Sequence, residues 1–385
     1  MAGALGIEGA VTLTGVLLVL AAVPLGLLLV LRGAAMMTDA ISHAVVLGIV
    51  LVWMATGIVS GPVQIAGAAA AGLGCVLLAQ ALGRARLIRT DAATGLAFSA
   101  FFALGVLLIN LNAGNVHIDA DTVLLGEIGL VWINTLLLGG AEVPVAVVAL
   151  GAMAVLNGLF VALLWKELKV ATFDPALAAA LGFAPGALGL ATLALLSATA
   201  VSAFDAVGVV LFVAMTVCPA ASALVLTDRL GRALVIALAC GLGAVLAGLA
   251  LALRWDVSIG GMMASTSAAI FALALLLAPG RGVLARALSA VGRRADEDCR
   301  ALVAHLHTHQ SGPEAAEETA ERALREHLRW APERAHRAVL RGLDRGLIRR
   351  EGVFLRLTEK GAAEARAIFA PWARGRAAET RGAGG

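Results

Sequence analysis

The chain has 385 residues, of which 60% are hydrophobic and 14% are charged, and its net charge at pH 7 is +3. Soluble domains have about 45–50% apolar and about 25% charged residues, so this composition excludes an ordinary soluble protein and predicts a polytopic membrane protein. The four cysteines are scattered without a C-x-x-C pair, which argues against a disulfide framework and against a thiolate metal site.

Apolar windows fill the first 280 residues, and nine of them are long enough, at about 17 residues or more, to cross a bilayer. Two short windows meet near residue 204 and are typical of a helical hairpin. The sequence therefore predicts an all-α bundle of eight or nine transmembrane helices. The windows are residues 9–31, 38–58, 62–83, 92–112, 136–165, 186–203, 205–226, 231–253 and 258–278.

Arginine and lysine are concentrated in alternate loops between these windows, with Arg254 as the exception. If nine helices cross the membrane, all of these loops lie on one side, which the positive-inside rule places in the cytoplasm. The N-terminus is then outside and the C-terminal tail is cytoplasmic. The loop residues are Arg84, Arg86, Arg89, Lys166, Lys169, Arg229 and Arg232, followed by the basic run from 281 to 294.

An aspartate and a histidine lie four positions apart in the second window, within M-M-T-D-A-I-S-H-A-V-V-L-G. On a helix, Asp39 and His43 share one face. A carboxylate at the bilayer centre costs about 2.5–3.5 kcal/mol, so the pair is expected to face the bundle interior, a water-filled path or a partner subunit. Carboxylate and imidazole are suitable ligands for a divalent cation. An ion pair that only fixes helix packing is equally compatible with the spacing alone.

The long loop from 112 to 133 carries polar residues at alternating positions, His117, Asp119 and Asp121. In an extended segment these three side chains point to one face. They are candidates for an outer site through which cations enter, although a solvated loop is the more common reason for such a pattern.

The loop after the fifth window, T-F-D-P-A-L-A-A-A-L-G, contains helix start and stop signals. Asp174 suits an N-cap, Pro175 suits the first helical position and Gly182 suits a C-terminal stop. With Phe173 near its start, this short cytoplasmic helix is suited to docking on a partner. The alternative is a connector helix that lies on the membrane.

Beyond Pro279, arginine and glutamate become frequent, which indicates a domain boundary. The sequence predicts a membrane domain over 1–280, a linker over 281–295, a small cytoplasmic domain over 296–370 and a disordered end over 371–385. Helical periodicity covers three stretches of the small domain, about 296–308, about 313–328 and from Pro332 onwards, and alternation around Gly352 predicts a β-hairpin. This order is that of a winged helix-turn-helix domain.

The third helix of the tail carries Arg334, Arg337 and Arg341, which suit phosphates or guanine edges. Neighbouring acidic residues dilute this patch, and many winged helices bind proteins, so DNA contact is the less favoured interpretation. The tract H-L-H-T-H (305–309) could bind a metal ion. The three histidines do not all share a helix face, which favours a solvated tract.

Five ordered motifs within about residues 10–280 resemble those of the metal-cation permeases of ABC importers, the zinc, manganese and iron-chelate family. The motifs are L-R-G-A-A-M-M-T-D-A-I-S-H-A-V-V-L-G (31–48), R-T-D-A-A-T-G-L-A-F-S-A-F-F-A-L-G (89–105), H-I-D-A-D-T-V-L-L-G-E-I (117–128), T-F-D-P (172–175) and V-G-V-V-L-F-V-A-M-T-V-C-P-A-A-S-A-L-V-L-T-D-R (207–229).

This resemblance implies a multi-pass permease of the bacterial plasma membrane that pairs with a second copy or a paralogue. Cytoplasmic ABC ATPase subunits and an extracytoplasmic metal-binding protein are the implied partners. Asp39 and His43 would line the metal path and meet their twofold copy there, and T-F-D-P would be the coupling helix that contacts the ATPase. The implied cargo is Mn²⁺, Fe²⁺ or Zn²⁺, with D-A-I-S-H closer to the manganese and iron branch. No permanently bound cofactor is implied.

The sequence lacks the motif G-x-x-x-x-G-K-[ST], so ATP hydrolysis is expected from a separate subunit and the chain is not expected to be an enzyme. Residues 337–361 resemble the winged-helix domain of iron-dependent repressors of the diphtheria-toxin-repressor type. The dimerisation domain of those repressors and its metal ligands have no counterpart in the sequence, so the resemblance does not imply metal sensing. Two alternatives stay open on the sequence: an ion-coupled secondary transporter with Asp39 and His43 as a proton relay, and a membrane-tethered, metal-responsive transcription regulator.

Overall fold

The structure is a computed structural model, which describes residues 6–57, 61–85, 88–112, 126–138, 141–310 and 318–382. The chain divides into two compact units, Met1–Gly282 and Val283–Gly385. Each unit is built around a hydrophobic core of its own.

The first unit is a helical bundle, which confirms the predicted polytopic membrane protein. Among the residues that the structure describes, eight helices are long and apolar enough to cross a membrane. The helices of this unit are α1 (Gly6–Leu31), α2 (Met36–Thr56), α3 (Pro62–Arg84), α4 (Thr90–Asn112), α5 (Val145–Leu163), α6 (Trp165–Phe173), α7 (Pro175–Ala180), α8 (Pro185–Leu226), α9 (Leu230–Trp255) and α10 (Ile259–Leu277).

Helix α8 is interrupted at Gly208, where φ is 72° and ψ is 168°. L-residues with a side chain rarely adopt this conformation, so a glycine is required at this point of the chain. Asp205 lies in the last turn before Gly208 and is exposed.

The two halves of α8 fold back on each other. Thr199 lies beside Ala21 of α1, because Asn157 of α5 contacts both residues. The side-chain Nδ2 of Asn157 is 2.7 Å from Thr199 Oγ1 and 2.9 Å from the Ala21 carbonyl oxygen. The carbonyl oxygen of Thr216 lies directly against Gly26 of α1, at the point where a Cβ would sit. Ala21 and Gly26 are about 7.5 Å apart along α1, whereas a straight helix would separate the two threonines by about 25 Å. The chain therefore reverses at Gly208 and α8 counts as two helical segments, so the described helices provide nine segments that are candidates to cross a membrane.

The predicted fifth window, 136–165, differs from the structure at its start. Two antiparallel strands, β1 (Thr135–Leu138) and β2 (Ala141–Pro144), occupy its first residues. Helix α5 begins only at Val145, because Pro144 has the extended backbone that a residue preceding a helix adopts.

Helix α1 lies at the centre of the bundle. In its most apolar 18-residue window 72% of residues are buried, compared with 22% in α4 and 17% in α10. A helix that is apolar on all sides is buried on all sides, so α1 packs against both halves of α8, α5 and α9. Asn157 on α5 is fully buried, and its side-chain amide links α1 to α8. Polar contacts of this kind help hold helices together where lipid provides no hydrophobic drive.

In the part of the second unit that the structure describes, there are four helices and one hairpin. A small core of Cys299, Leu302, Val339, Ile348 and Leu355 joins them. The elements are α11 (Val283–His309), α12 (Ala323–His327), α13 (Pro332–Asp344), β3 (Ile348–Glu351), β4 (Phe354–Leu357) and α14 (Glu359–Gly382).

The predicted hairpin is present, with Glu351 paired to Phe354 and with Gly352 at φ 65°. Three features differ from the sequence prediction. Helix α11 runs through the predicted linker 281–295, since that stretch contains no proline. The second predicted helix is limited to the short α12 in the described residues. Helix α14 extends to Gly382, into the predicted disordered end, which is rich in the strong helix formers alanine, arginine and glutamate.

Candidate functional site

Asp39 and His43 lie on the same face of α2, as the four-residue spacing predicts. Asp39 is in the first turn, and its Oδ1 lies 3.6 Å from Nε2 of His43. The side chains are 46% and 32% exposed, while the intervening Ser42 is fully buried. The distance exceeds that of a good hydrogen bond, so the two groups lie close without being locked to each other. The pair forms a partly open polar patch on a stretch of α2, residues 37–50, that is otherwise mostly buried.

Two aromatic rings of α4 hold the imidazole of His43. Phe98 stacks on it with ring centroids 5.5 Å apart and an interplanar angle of 27°. Phe102 meets the same imidazole edge-on, also at 5.5 Å. Packing on two sides restricts the rotation of the imidazole, which is what a ligand with a defined position needs.

A close contact between helices fixes the position of α2. A Cβ on Gly48 would lie 2.5 Å from the carbonyl oxygen of Gly67 and 2.6 Å from Cα of Ala68 on α3. Only glycine permits this approach of two backbones. The face that carries Asp39 and His43 is thereby held at a defined position in the bundle.

One copy of this pair provides two ligands, one oxygen and one nitrogen. Within the described ranges, no group of three or more histidine, cysteine, aspartate or glutamate side chains surrounds a position for a metal ion. Divalent cations of the first transition row take at least four ligands. A metal ion at the Asp39–His43 pair would therefore need further ligands, from another chain or from water.

The predicted coupling segment has the geometry that its sequence indicates. The Asp174 side chain accepts a hydrogen bond from the backbone N–H of Leu177 at 2.9 Å, and Pro175 is the first residue of α7. Phe173, Leu177 and Leu181 are 60%, 48% and 57% exposed. The segment thus presents three large apolar side chains on a short capped helix.

Sequence reasoning missed Arg32, which follows α1. Its Nε donates to Oγ1 of Thr172 at 3.2 Å, and its Nη2 is buried without a hydrogen-bond partner. An isolated arginine directly after a long apolar run is the signal that could have found it. The contact joins the connection between α1 and α2 to the residue that precedes Phe173.

The outer residues His117, Asp119 and Asp121 lie outside the described residues.

In the tail, two of the three predicted DNA-contact arginines are paired. Arg334 donates to Asp298 at 2.6 Å and lies over the ring of Trp330.

Arg341 donates to Asp296 at 3.1 Å, and this hydrogen bond holds the pKa of the Asp296 carboxyl below its usual range. Arg345 lies 2.9 Å from the same carboxylate, whereas Arg337 is exposed on α13. Most of the basic charge predicted for this surface is therefore neutralised by α11.

A family model described as the ABC 3 transport family matches residues 8–278. The chain belongs to this family. The chain is similar to the zinc transport system membrane protein TroD of Treponema pallidum, with 42% identity over 357 residues. That alignment covers 93% of this chain and 97% of TroD, so it includes most of the second unit.

Two further comparisons cover smaller shares of this chain. The manganese transport system membrane protein MntD of Bacillus subtilis is 41% identical over 283 residues, which are 73% of this chain and 95% of MntD. The solved structure of PsaBC from Streptococcus pneumoniae in complex with Fab matches with a TM-score of 0.58 and 26% identity. It covers 71% of this chain and 92% of that chain.

Proposed function

We propose that this chain is the transmembrane permease subunit of an ABC importer for a divalent metal ion, with Asp39 and His43 as cargo ligands. Family membership and the relatives TroD and MntD, named for zinc and manganese transport, support this function. The observation that carries the residue assignment is the partly open Asp39–His43 pair on a helix whose other residues near it are buried.

The incomplete ligand set supports a symmetric site. Two copies of the pair, from this chain and a second copy or a paralogue, would provide two carboxylates and two imidazoles. Four such ligands suit Mn²⁺, Fe²⁺ and Zn²⁺. The partial exposure of Asp39 and His43 in the single chain is what a site shared across a seam requires. Release follows when the two chains move apart and the ligands separate.

The coupling segment supports a separate ATPase partner. Phe173, Leu177 and Leu181 form an exposed apolar patch on a capped helix, which fits a hydrophobic groove of a cytoplasmic ATPase subunit. An extracytoplasmic metal-binding protein would deliver the cation from the other side. His117, Asp119 and Asp121 remain the candidates for its first contact with the permease.

The nine crossing segments support a cytoplasmic tail. With nine alternating segments, the connections at the end of α3, between α5 and α8, before α9 and after α10 all lie at one end of the bundle. They carry Arg84, Lys166, Lys169, Arg229 and Arg281. This end is rich in positive charge, which is typical of the cytoplasmic side of a bacterial plasma membrane. The second unit follows the last segment and lies on the same side.

The element order of the tail, with α13 followed by the β3–β4 hairpin, supports a winged helix. The pairing of Arg334 with Asp298 and of Arg341 with Asp296 leaves little unpaired basic charge on α13. A regulatory contact with protein is therefore favoured over DNA binding. If DNA is bound after all, Arg337→Glu in the full chain should abolish binding to a promoter fragment.

The variants Asp39→Asn and His43→Gln test the transport site. Each should reduce uptake of radioactive Mn²⁺ or Zn²⁺ by at least 100-fold in cells that express the complete transporter, because each removes one ligand type from both halves. Co-purification with the ATPase should be unchanged. Met36→Leu, on the exposed start of the same helix, is the matched control and should transport normally. Wild-type uptake by both site variants would remove the assignment.

A further inference from the structure

A cluster of ionisable side chains in the second unit takes no part in the transport site. His305 and His309 lie one turn apart on α11, His327 is the last residue of α12, and Glu318 lies between the two helices in the chain. The sequence favours a solvated tract for the first two. The structure differs, because His305 is only 9% exposed and Glu318 only 8%.

The carboxylate of Glu318 lies between two imidazoles. Its Oε2 contacts Nδ1 of His309, and its Oε1 lies 3.7 Å from Nδ1 of His327. His305 Nε2 lies 3.2 Å from the backbone carbonyl oxygen of Glu318, and its ring lies 4.7 Å from the ring of His309. The three imidazoles therefore all face one buried acidic residue.

A divalent cation matches both the charge and the ligand types of the cluster. A buried carboxylate is costly unless a positive charge lies beside it. The imidazoles around it lie close together, with ring centroids 4.7 Å apart for His305 and His309 and 6.5 Å apart for His309 and His327. One divalent cation would neutralise Glu318 and use the lone pairs of neutral imidazoles.

We propose that His309, His327 and Glu318 bind a divalent cation in the tail, with His305 as a positioning residue that holds the Glu318 backbone. Two nitrogens and one carboxylate form a set in which a fourth position stays open for water, as at exchangeable sites. This suits a sensor that samples the cation. The inference rests on the proposed function, because a cytoplasmic tail would then read the concentration of the imported metal.

The geometry is close to that of a bound site and needs one local adjustment. Ligands of a tetrahedral ion with bonds of about 2.1 Å lie about 3.4 Å apart, compared with 3.7 Å between His327 Nδ1 and Glu318 Oε1. His309 contacts the carboxylate directly, so its ring must turn aside to admit the ion. This is why the described side chains do not yet surround a metal position. His309 and His327 are 36% and 43% exposed, which leaves room for that rotation.

The test uses the purified full-length chain carrying Asp39→Asn and His43→Gln, so that the transport site does not contribute. Titration with Co²⁺ should show about one equivalent bound, with the visible absorption of four-coordinate cobalt. Adding His309→Asn or His327→Asn should weaken Co²⁺ binding at least tenfold. Glu318→Gln should do the same. His336→Asn is the matched control, since His336 is an exposed histidine of the same unit and contacts Glu321 instead.

The outcomes separate this site from the transport function. Absence of Co²⁺ binding in the Asp39→Asn and His43→Gln background overturns the tail site, and so does binding that His309→Asn and His327→Asn leave unchanged. Glu318 is buried, so Glu318→Gln can also weaken Co²⁺ binding by disturbing the fold. A loss of binding in Glu318→Gln therefore counts only if His327→Asn, which changes an exposed helix end, weakens binding as well. Failure of the transport assignment would appear differently, as normal metal uptake by the Asp39 and His43 variants.

Discussion

Arg32 donates a hydrogen bond from Nε to Oγ1 of Thr172 at 3.2 Å, across 140 positions of the chain. Thr172 directly precedes Phe173 at the start of the proposed coupling segment. Arg32 precedes the first turn of α2, which carries Asp39, by only a few residues. One side-chain contact therefore joins the proposed coupling segment to the start of the helix that carries Asp39 and His43, the proposed cargo ligands.

Breaking this contact should uncouple transport from ATP hydrolysis. We expect Arg32→Gln and Thr172→Val each to lower metal uptake at least tenfold while metal binding by Asp39 and His43 is retained, because α2 no longer follows the coupling segment. Thr172→Ser keeps the hydroxyl and should restore uptake. Uptake, ATPase activity and equilibrium metal binding are measured on the complete transporter. Loss of metal binding in Thr172→Val would show that the contact is only structural.

The rings around His43 should set its affinity for the cargo. Replacing Phe98 by alanine removes the stacked surface that restricts the imidazole, so we expect KM for uptake to rise about tenfold with a smaller change in maximal rate. Phe98→Tyr keeps the ring and should behave like the wild type. Leu104→Ala, an exposed position on the same helix, is the control. An unchanged KM in Phe98→Ala would exclude a positioning role.

The N-cap of α7 should be needed for ATPase binding. Asp174→Ala removes the acceptor for the Leu177 N–H, which costs about 0.5–2 kcal/mol of local helix stability. We expect weaker co-purification of the ATPase and reduced uptake. Asp174→Ser retains a capping oxygen and should preserve both. Equal loss in the serine and alanine variants would show that the carboxylate contacts the partner directly.

Acid should destabilise the second unit through Asp296. The hydrogen bond from Arg341 lowers the pKa of this carboxyl in the folded state, so at acidic pH the unfolded chain binds more protons than the folded one. Stability from this group is complete above the ordinary aspartate pKa of about 4 and is lost as pH falls through the lower folded value. Hydrogen exchange of α11 and α13 between pH 5 and 3 measures the effect. Asp296→Asn should remove this part of the pH dependence, and an unchanged profile would contradict it.

Features set by local sequence were predictable, and features made by distant contacts were not. The shared face of Asp39 and His43 follows from helical spacing. The N-cap at Asp174 and the hairpin turn at Gly352 follow from residue type. Arg32 and Thr172 are brought together only by packing of the bundle. His327 and Glu318 join His309 only when α12 packs on α11. Spacing along the chain contains no information about such pairs.

The α2–α3 contact at Gly48 should be intolerant of any side chain. A Cβ there would lie 2.5 Å from the Gly67 carbonyl oxygen and 2.6 Å from Ala68 Cα, which are backbone atoms that cannot rotate away. Gly48→Ala must therefore push the helices apart, at a cost of about 1–3 kcal/mol, and shift the face that carries the cargo ligands. Gly158→Ala is the matched control, since no atom lies within 4 Å of its added Cβ. We expect a lower midpoint of thermal unfolding and reduced uptake for Gly48→Ala alone. Unfolding is measured on detergent-purified protein and uptake in cells. Equal behaviour of the two variants would show that α2 is not held by this contact.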